Sequence, residues 1–104
     1  MLYAQAASGP RVQLTGDADS LAVARGAVWL DLLDATPEER HFVASLLGQP
    51  LPERADLEEI ETSSRLASRD GALFMSLPLL TAAENMPLRS PLGLVLTERQ
   101  LVTI

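Results

Sequence analysis

Hydrophobic and polar residues alternate in two short segments near the start of the chain, residues 2–7 and residues 11–15. Alternation of this kind is typical of strands with one buried face. Ser8, Gly9 and Pro10 separate the two segments, and these residue types favour turns. The pattern therefore predicts an amino-terminal β-hairpin, and we expect its first strand to lie at an edge of the sheet.

A denser apolar run follows over residues 27–33, with the sequence AVWLDLL. Strands that are covered on both faces carry such runs in place of a strict alternation. We therefore predict a central strand here. Trp29 is predicted to be a core residue, because a lone aromatic within an apolar strand is usually there for packing.

Helix signals come directly after this strand. Thr36, Pro37 and Glu39 supply a hydroxyl N-cap, a first-turn proline and the N3 glutamate of a capping box. The apolar residues that follow share one face at helical spacing and are Phe42, Val43, Leu46 and Leu47. Gly48 suits the left-handed position that ends a helix. The sequence thus predicts a helix that begins at Thr36 and ends near residue 47.

The remaining residues predict one more helix and a set of strands. Residues 53–60 carry Leu57 and Ile60 on one face, which indicates a short second helix. Strands are predicted over residues 63–69, 72–80, 92–97 and 101–104. Asp70 and Gly71 form the typical two-residue turn of a hairpin, whereas residues 81–91 are predicted to be a polar loop with two prolines.

This order of elements predicts an α/β protein of the α+β type. We expect a mixed, mostly antiparallel sheet packed against short helices, in a single domain over residues 1–104. The chain stops within a predicted strand, at Leu101 to Ile104, so we expect it to be part of a longer protein.

Composition removes several classes of function. The chain has 8 basic and 14 acidic residues, a formal charge of −6, and no lysine or cysteine. Excess negative charge argues against nucleic acid as a partner, since phosphate binding needs clustered positive charge. The absence of lysine and cysteine excludes Schiff-base and thiolate chemistry and a cysteine zinc site. The longest uncharged stretch, Gly71 to Ala83, is too short to cross a bilayer.

One stretch is rich in potential metal ligands, and it consists of Asp56, Glu58, Glu59 and Glu61. Oxygen ligands suit a hard cation such as Mg²⁺. The alternative is a solvated helix face, which is the more common role of such charge runs. No spacing here matches a closed cage, so a second surface would have to complete any metal site.

Support for an enzyme is weak. Glu58 and Glu59 are neighbours, which diverge by about 100° on a helix and cannot flank one bond. His41 has no serine, cysteine or acid at the spacing of a known catalytic motif, and we interpret it as a surface or half-buried helix residue. Asp31 and Asp34 lie at the end of the central strand, where ligands often bind, but Asp34 also suits a turn.

The order and spacing of these motifs resemble the cytoplasmic amino-terminal domain of the CorA magnesium and cobalt transporters. The resemblance is carried by the run from Val28 to Asp34, the capping segment from Thr36 to Glu39 and the acidic block from Asp56 to Arg65. The Asp70-Gly71 hairpin and the closing strands agree with it. It covers roughly residues 26–104.

This resemblance implies an α/β/α sandwich that serves as the soluble regulatory domain of a bacterial, homopentameric channel on the cytoplasmic side of the membrane. Its partners would be its own stalk and transmembrane helices, which this sequence does not contain. In the family, regulatory Mg²⁺ binds between neighbouring subunits through an acidic pair that falls on Glu58 and Glu59. The transported ion would be Mg²⁺ or Co²⁺, and the domain would not be an enzyme.

Two alternatives stay open at this stage. The equivalent domain of a ZntB-like zinc transporter shares the fold, and the residues that select the ion lie elsewhere in that family. A free-standing α/β interaction module or small hydrolase is the other alternative, and only the carboxylates of Asp31, Glu58 and Glu59 support a hydrolase.

Overall fold

A computed structural model of the chain describes residues 1–15, 17–53, 56, 66–83 and 86–104. Within these ranges the chain forms seven strands and two helices. They are β1 (Leu2–Gln5), β2 (Val12–Leu14), α1 (Ala18–Gly26), β3 (Trp29–Leu32), α2 (Pro37–Leu47), β4 (Leu66–Arg69), β5 (Ala72–Ala83), β6 (Met86–Leu96) and β7 (Leu101–Thr103).

The strands form one mixed sheet in the order β2-β1-β3-β7-β6-β5-β4. β3 and β7 are parallel, and the other pairs are antiparallel. This confirms the predicted α+β fold with a mixed, mostly antiparallel sheet. The amino-terminal hairpin is also confirmed, but its second strand, β2, is the edge strand, and β1 lies between β2 and β3. The prediction that the first strand forms the edge is therefore wrong.

One face of the sheet carries the hydrophobic core. Each of its main strand residues is the register partner of another, and these residues are Leu14, Leu2, Ala4, Leu30, Leu32, Val102, Val95 and Phe74. Ala72 is buried two residues before Phe74 on β5. Ala24 of α1 and Val43 of α2 belong to the same buried cluster. Both helices therefore pack on this face. The second helical layer of an α/β/α sandwich is an expectation that the described residues do not test.

The opposite face of the sheet is partly exposed. Trp29, Leu101, Leu96 and Leu73 form a row across four strands, because each is the register partner of the next. Trp29 is 37% exposed and Leu96 is 48% exposed. The prediction that Trp29 is a core residue is therefore wrong. Side chains alternate along a strand, and Leu30 takes the covered side of β3 while Trp29 takes the open side.

Helix α1 was not predicted from the sequence. Asp17 caps its first turn by accepting a hydrogen bond from the Ser20 backbone N–H at 2.8 Å. Only small residues of the helix, Ser20 and Ala24, are buried, so the sequence shows no strong apolar stripe. A residue far along the chain caps the last turn. The Gln100 side-chain amide donates to the carbonyl oxygens of Ala24 and Ala27 at 2.6 and 2.9 Å.

Helix α2 confirms the prediction from its capping signals. The Thr36 hydroxyl accepts from the Glu39 backbone N–H at 3.1 Å, and the Glu39 carboxylate accepts from the Thr36 N–H at 2.9 Å. Gly48 ends the helix with a φ of 75°. Val43 is fully buried, and Phe42 packs beside it at the edge of the core.

The turn at Asp70 and Gly71 is confirmed, with φ angles of 50° and 80° that suit a two-residue hairpin turn. The predicted loop over residues 81–91 is wrong. Strand β5 continues to Ala83 and β6 begins at Met86, and these two residues are register partners. Prolines in this segment favour a loop when the sequence is considered alone, because proline cannot donate to a ladder.

The phase of the hydrogen bonds explains how these prolines fit into strands. Gly93 exchanges backbone hydrogen bonds of 3.1 and 2.9 Å with Ile104, so its N–H points away from β5. Hydrogen-bonding direction alternates along a strand, so the nitrogens of Pro91 and Pro87 also point away from β5. Pro78 lies opposite Pro91 in the same class of pair. All three prolines therefore occupy positions where the hairpin needs no N–H donor.

Candidate functional site

The acidic residues that the sequence singled out are mostly outside the described part of the chain. Glu58, Glu59 and Glu61 are not among the described residues. Asp56 is described, and its carboxylate accepts a hydrogen bond from the Glu53 backbone N–H at 2.9 Å. Among the residues that the structure describes, no group of three or more His, Asp or Glu side chains is arranged to hold a metal ion. The metal site at Glu58 and Glu59 stays a prediction.

A different polar cluster lies on the open face of the sheet, and we call it the arginine cluster. It consists of Tyr3, Arg11, Trp29, Asp31 and Thr103. The sheet register brings these residues together, since Asp31 is the partner of Tyr3 on β1 and of Thr103 on β7. Arg11 reaches the cluster from the residue just before β2.

The polar atoms of four residues of the arginine cluster, Trp29, Thr103, Asp31 and Arg11, form a continuous chain of hydrogen bonds. The indole N–H of Trp29 donates to the Thr103 hydroxyl at 2.9 Å. That hydroxyl donates to Oδ1 of Asp31 at 2.6 Å, and Nη2 of Arg11 donates to Oδ2 at 2.6 Å. Both carboxylate oxygens of Asp31 are therefore paired. Its side chain is 25% exposed, which leaves the ion pair partly shielded from solvent.

The guanidinium of Arg11 also lies against two aromatic rings. Its central carbon is 4.1 Å from the centroid of the Tyr3 ring and 5.8 Å from that of the Trp29 ring. Both distances fall within the range in which a cation is attracted to the negative face of an aromatic ring. Arg11 is thus held by charge, hydrogen bonding and stacking together.

This geometry suits binding and orientation and does not suit acid–base chemistry. The Thr103 hydroxyl donates to one partner and accepts from another, and the Asp31 carboxylate is already paired with a cation. A nucleophile needs an adjacent base that can take its proton, and a general base needs an oxygen that can reach a substrate. The arginine cluster therefore gives no support to the hydrolase alternative.

The other candidates from the sequence have ordinary structural roles. Asp34 has a φ of 45° in the bend after β3, which agrees with its interpretation as a turn residue. His41 is exposed and lines a shallow cleft of about 390 Å³ with Arg40 and Glu53. Arg40 is not free in this cleft, because its Nη2 donates to the carbonyl oxygen of Pro52 at 2.9 Å.

A second charged contact links the amino terminus to helix α2. The Met1 ammonium donates to Oε1 of Glu39 at 2.9 Å and to the carbonyl oxygen of Leu33 at 2.8 Å. Two hydrogen bonds lower the pKa of Glu39 below its ordinary value. The larger effect comes from the Thr36 backbone N–H and the smaller one from this ammonium. Glu39 is therefore held ionised at the start of α2, beside a cleft of about 510 Å³.

Sequence reasoning missed Arg11, Tyr3 and Thr103 as members of a site. Their partners are far away along the chain, since Thr103 contacts Asp31 because β7 pairs with β3 in this register. One signal was present in the Trp29-Leu30-Asp31 motif. In a strand, residues two apart share a face, so a strand here places Trp29 and Asp31 side by side.

No family model matches the chain. The "Magnesium transport protein CorA" of Sodalis glossinidius is 33% identical over 89 residues, which is 85% of this chain and 28% of that protein. The protein of the same name from Escherichia coli K12 is 47% identical over 47 residues, 45% of this chain and 15% of that protein. The chain is similar to CorA proteins over most of its own length.

The solved structures agree with this similarity at the level of the fold. The chain matches the CorA magnesium transporter of Methanocaldococcus jannaschii with a TM-score of 0.61 and 16% identity, over 99% of this chain and 31% of that one. The CorA resemblance inferred from the motifs is therefore confirmed. The chain spans less than a third of the length of these CorA relatives. No helix in the described ranges is long and apolar enough to cross a bilayer.

Proposed function

We propose that this chain is the metal-sensing, regulatory domain of a CorA-type transporter of divalent cations, with Mg²⁺ as the transported ion. The observation that carries the proposal is the similarity to two proteins named as magnesium transport proteins. In this proposal residues 1–104 act as one domain on the cytoplasmic side of the membrane, and stalk and membrane segments of the same protein assemble as a homopentamer. Transport needs no covalent chemistry from this domain.

Regulation would use the acidic block. Glu58 and Glu59 would face a neighbouring subunit, and two acidic surfaces repel each other when no cation lies between them. Mg²⁺ takes carboxylate oxygens as ligands and would offset this repulsion. A cation bound between subunits would therefore favour the closed arrangement, so that a high internal concentration of Mg²⁺ stops further uptake. Co²⁺ is an expected second cargo.

The test is Mg²⁺ uptake by cells that express the full-length parent gene, with and without the double substitution E58A/E59A. We expect the double variant to keep uptake and to lose its shut-off at high internal Mg²⁺. The matched control is E38A/E98A, which removes two exposed carboxylates from α2 and from the β6–β7 turn and should keep the shut-off.

Three other outcomes contradict parts of the proposal. Unchanged shut-off in E58A/E59A would remove the sensor role from this acidic pair and leave the family assignment standing. Zn²⁺ uptake without Mg²⁺ uptake would favour the ZntB-like alternative. A parent gene without membrane spans beyond Ile104 would favour a free-standing interaction module.

A further inference from the structure

The guanidinium of Arg11 lies on the open face of the sheet, at a position that we call the recess. Its guanidinium is bounded by the Tyr3 ring, the Trp29 ring and the Asp31 carboxylate, yet 44% of the side chain is exposed. The guanidinium is therefore surrounded on one side by groups that recognise a flat cation and is open to solvent on the other.

The walls of this recess are held in place by contacts that do not involve Arg11. The Trp29 indole is fixed by its hydrogen bond to Thr103, and Thr103 in turn fixes Oδ1 of Asp31. Tyr3 and Asp31 are register partners on adjacent strands, and the Tyr3 hydroxyl contacts Sδ of Met1 at 3.2 Å. Groups that are already positioned lose little freedom when a ligand arrives.

Arg11 itself is attached to a weakly held part of the sheet. It precedes β2, an edge strand of three residues that pairs with β1 alone among the described strands. Edge strands open more readily than central ones, because fewer contacts hold them. The walls of the recess lie on β1, β3 and β7. Loss of the arginine should therefore leave the recess standing.

We propose that Tyr3, Trp29 and Asp31 form a preformed guanidinium-binding site, that Arg11 is its resident ligand, and that the site accepts a guanidinium group from outside the chain when Arg11 is absent. The ligand class follows from the geometry. A guanidinium is planar, so it can stack on an aromatic ring while its edge donates to a carboxylate. An ammonium has the same charge but no flat face. This site is independent of the proposed transport function.

The test uses Arg11→Ala and methylguanidinium as the probe, with methylammonium at equal ionic strength as the comparison. The chain has one tryptophan, so the indole N–H signal of Trp29 in a proton–nitrogen NMR spectrum reports on the site without ambiguity. We expect methylguanidinium to shift this signal saturably in Arg11→Ala. The shift should be absent in the unchanged chain, where the recess is filled, and in R11A/D31N, which lacks the carboxylate.

Arg25→Ala is the matched control, because Arg25 is an exposed arginine in the last turn of α1, away from the recess. It should respond no more than the unchanged chain. A second measurement covers the case in which Arg11→Ala is poorly folded. A ligand that binds only the folded state raises Tm, so methylguanidinium should raise the Tm of R11A and leave that of R11A/D31N unchanged.

Two results would overturn the proposal. One is the absence of both a saturable shift and a rise in Tm in Arg11→Ala. The other is an equal response to methylammonium, which would show that the recess attracts positive charge in general and does not recognise the guanidinium plane.

Discussion

Val95 and Leu96 are neighbours on β6, but they point to opposite faces of the sheet. Val95 is fully buried against the helices, whereas Leu96 is 48% exposed. The same contrast holds on β3, where Leu30 is fully buried and Trp29 is 37% exposed. Burial of apolar side chains stabilises the covered face, whereas the hydrogen bonds and stacking of the arginine cluster stabilise the open face. The two faces should therefore respond differently to substitution.

The largest effect is expected on the covered face. Leu30→Ala removes a fully buried side chain from the centre of the core and should lower the free energy of unfolding by about 2–5 kcal/mol. The measurement is urea-induced unfolding followed by circular dichroism. A loss below about 1 kcal/mol would show that the core relaxes around the cavity and that burial on this face contributes less than its packing indicates.

A smaller effect is expected where the open face depends on polar contacts. Thr103→Val keeps the branched shape but leaves the Trp29 indole N–H and Oδ1 of Asp31 without their partner. We expect the free energy of unfolding to fall by about 1–2 kcal/mol. This is the lower part of the range for an unpaired buried group, because Trp29 is partly solvated. Urea unfolding gives the value, and near-ultraviolet circular dichroism reports on Trp29.

The control for this change is Thr103→Ser, which keeps the hydroxyl and should retain most of the stability. A double-mutant cycle with Asp31→Asn then separates the contact from its surroundings. The two substitutions should be non-additive by at least about 0.5 kcal/mol, because both act on one network. Strict additivity would mean that the hydrogen-bond chain does not act as a unit.

Acid should weaken the helices that cover the core face. Capping hydrogen bonds lower the pKa of Glu39 and of Asp17 in the folded state. A carboxyl group whose pKa is lower in the folded state than in the unfolded state stabilises the fold. This stabilisation is fully present above the pKa of the unfolded state, about 4, and is lost as the pH falls through the pKa of the folded state. For Glu39 the expected loss is at most about 1 kcal/mol, the contribution of a carboxylate near a helix N-terminus that solvent partly screens.

Glu39→Gln tests this assignment, because glutamine can still complete a capping box but does not titrate. Between pH 5 and pH 2 the free energy of unfolding of the variant should fall less than that of the unchanged chain, by at most about 1 kcal/mol. Glu38→Gln is the matched control at the neighbouring position, and it leaves the capping box intact. Equal acid sensitivity in all three proteins would contradict the role of Glu39.

The distance along the chain between interacting residues explains which elements the sequence could predict. Helix α2 and the Asp70-Gly71 turn were predicted correctly, because their signals lie within a few residues of each other. Helix α1 was missed because its buried residues are small, and its closing contact comes from Gln100, far along the chain. The residues of the arginine cluster depend on the sheet register, which local patterns do not specify.

The prediction of a loop in place of the proline-containing hairpin was wrong for a related reason. Whether Pro91 interrupts a strand depends on the direction of its nitrogen, and that direction is set by the pairing of Gly93 with Ile104. Composition alone cannot distinguish a proline that breaks a ladder from one that faces away from it. The predicted metal residues Glu58 and Glu59 lie outside the described residues, so the metal site stays a prediction.

The smallest effect is expected for Leu96→Ala, the counterpart of Leu30→Ala on the open face. The substitution is chemically identical, but Leu96 is already 48% exposed, so little apolar area leaves or enters water when the chain unfolds. We expect a loss below about 1 kcal/mol by urea unfolding. A loss as large as that of Leu30→Ala would mean that the row of Trp29, Leu101, Leu96 and Leu73 is a second core that a further element covers in solution. A small loss in this chain together with a large loss in the full-length protein would place that covering element outside this chain.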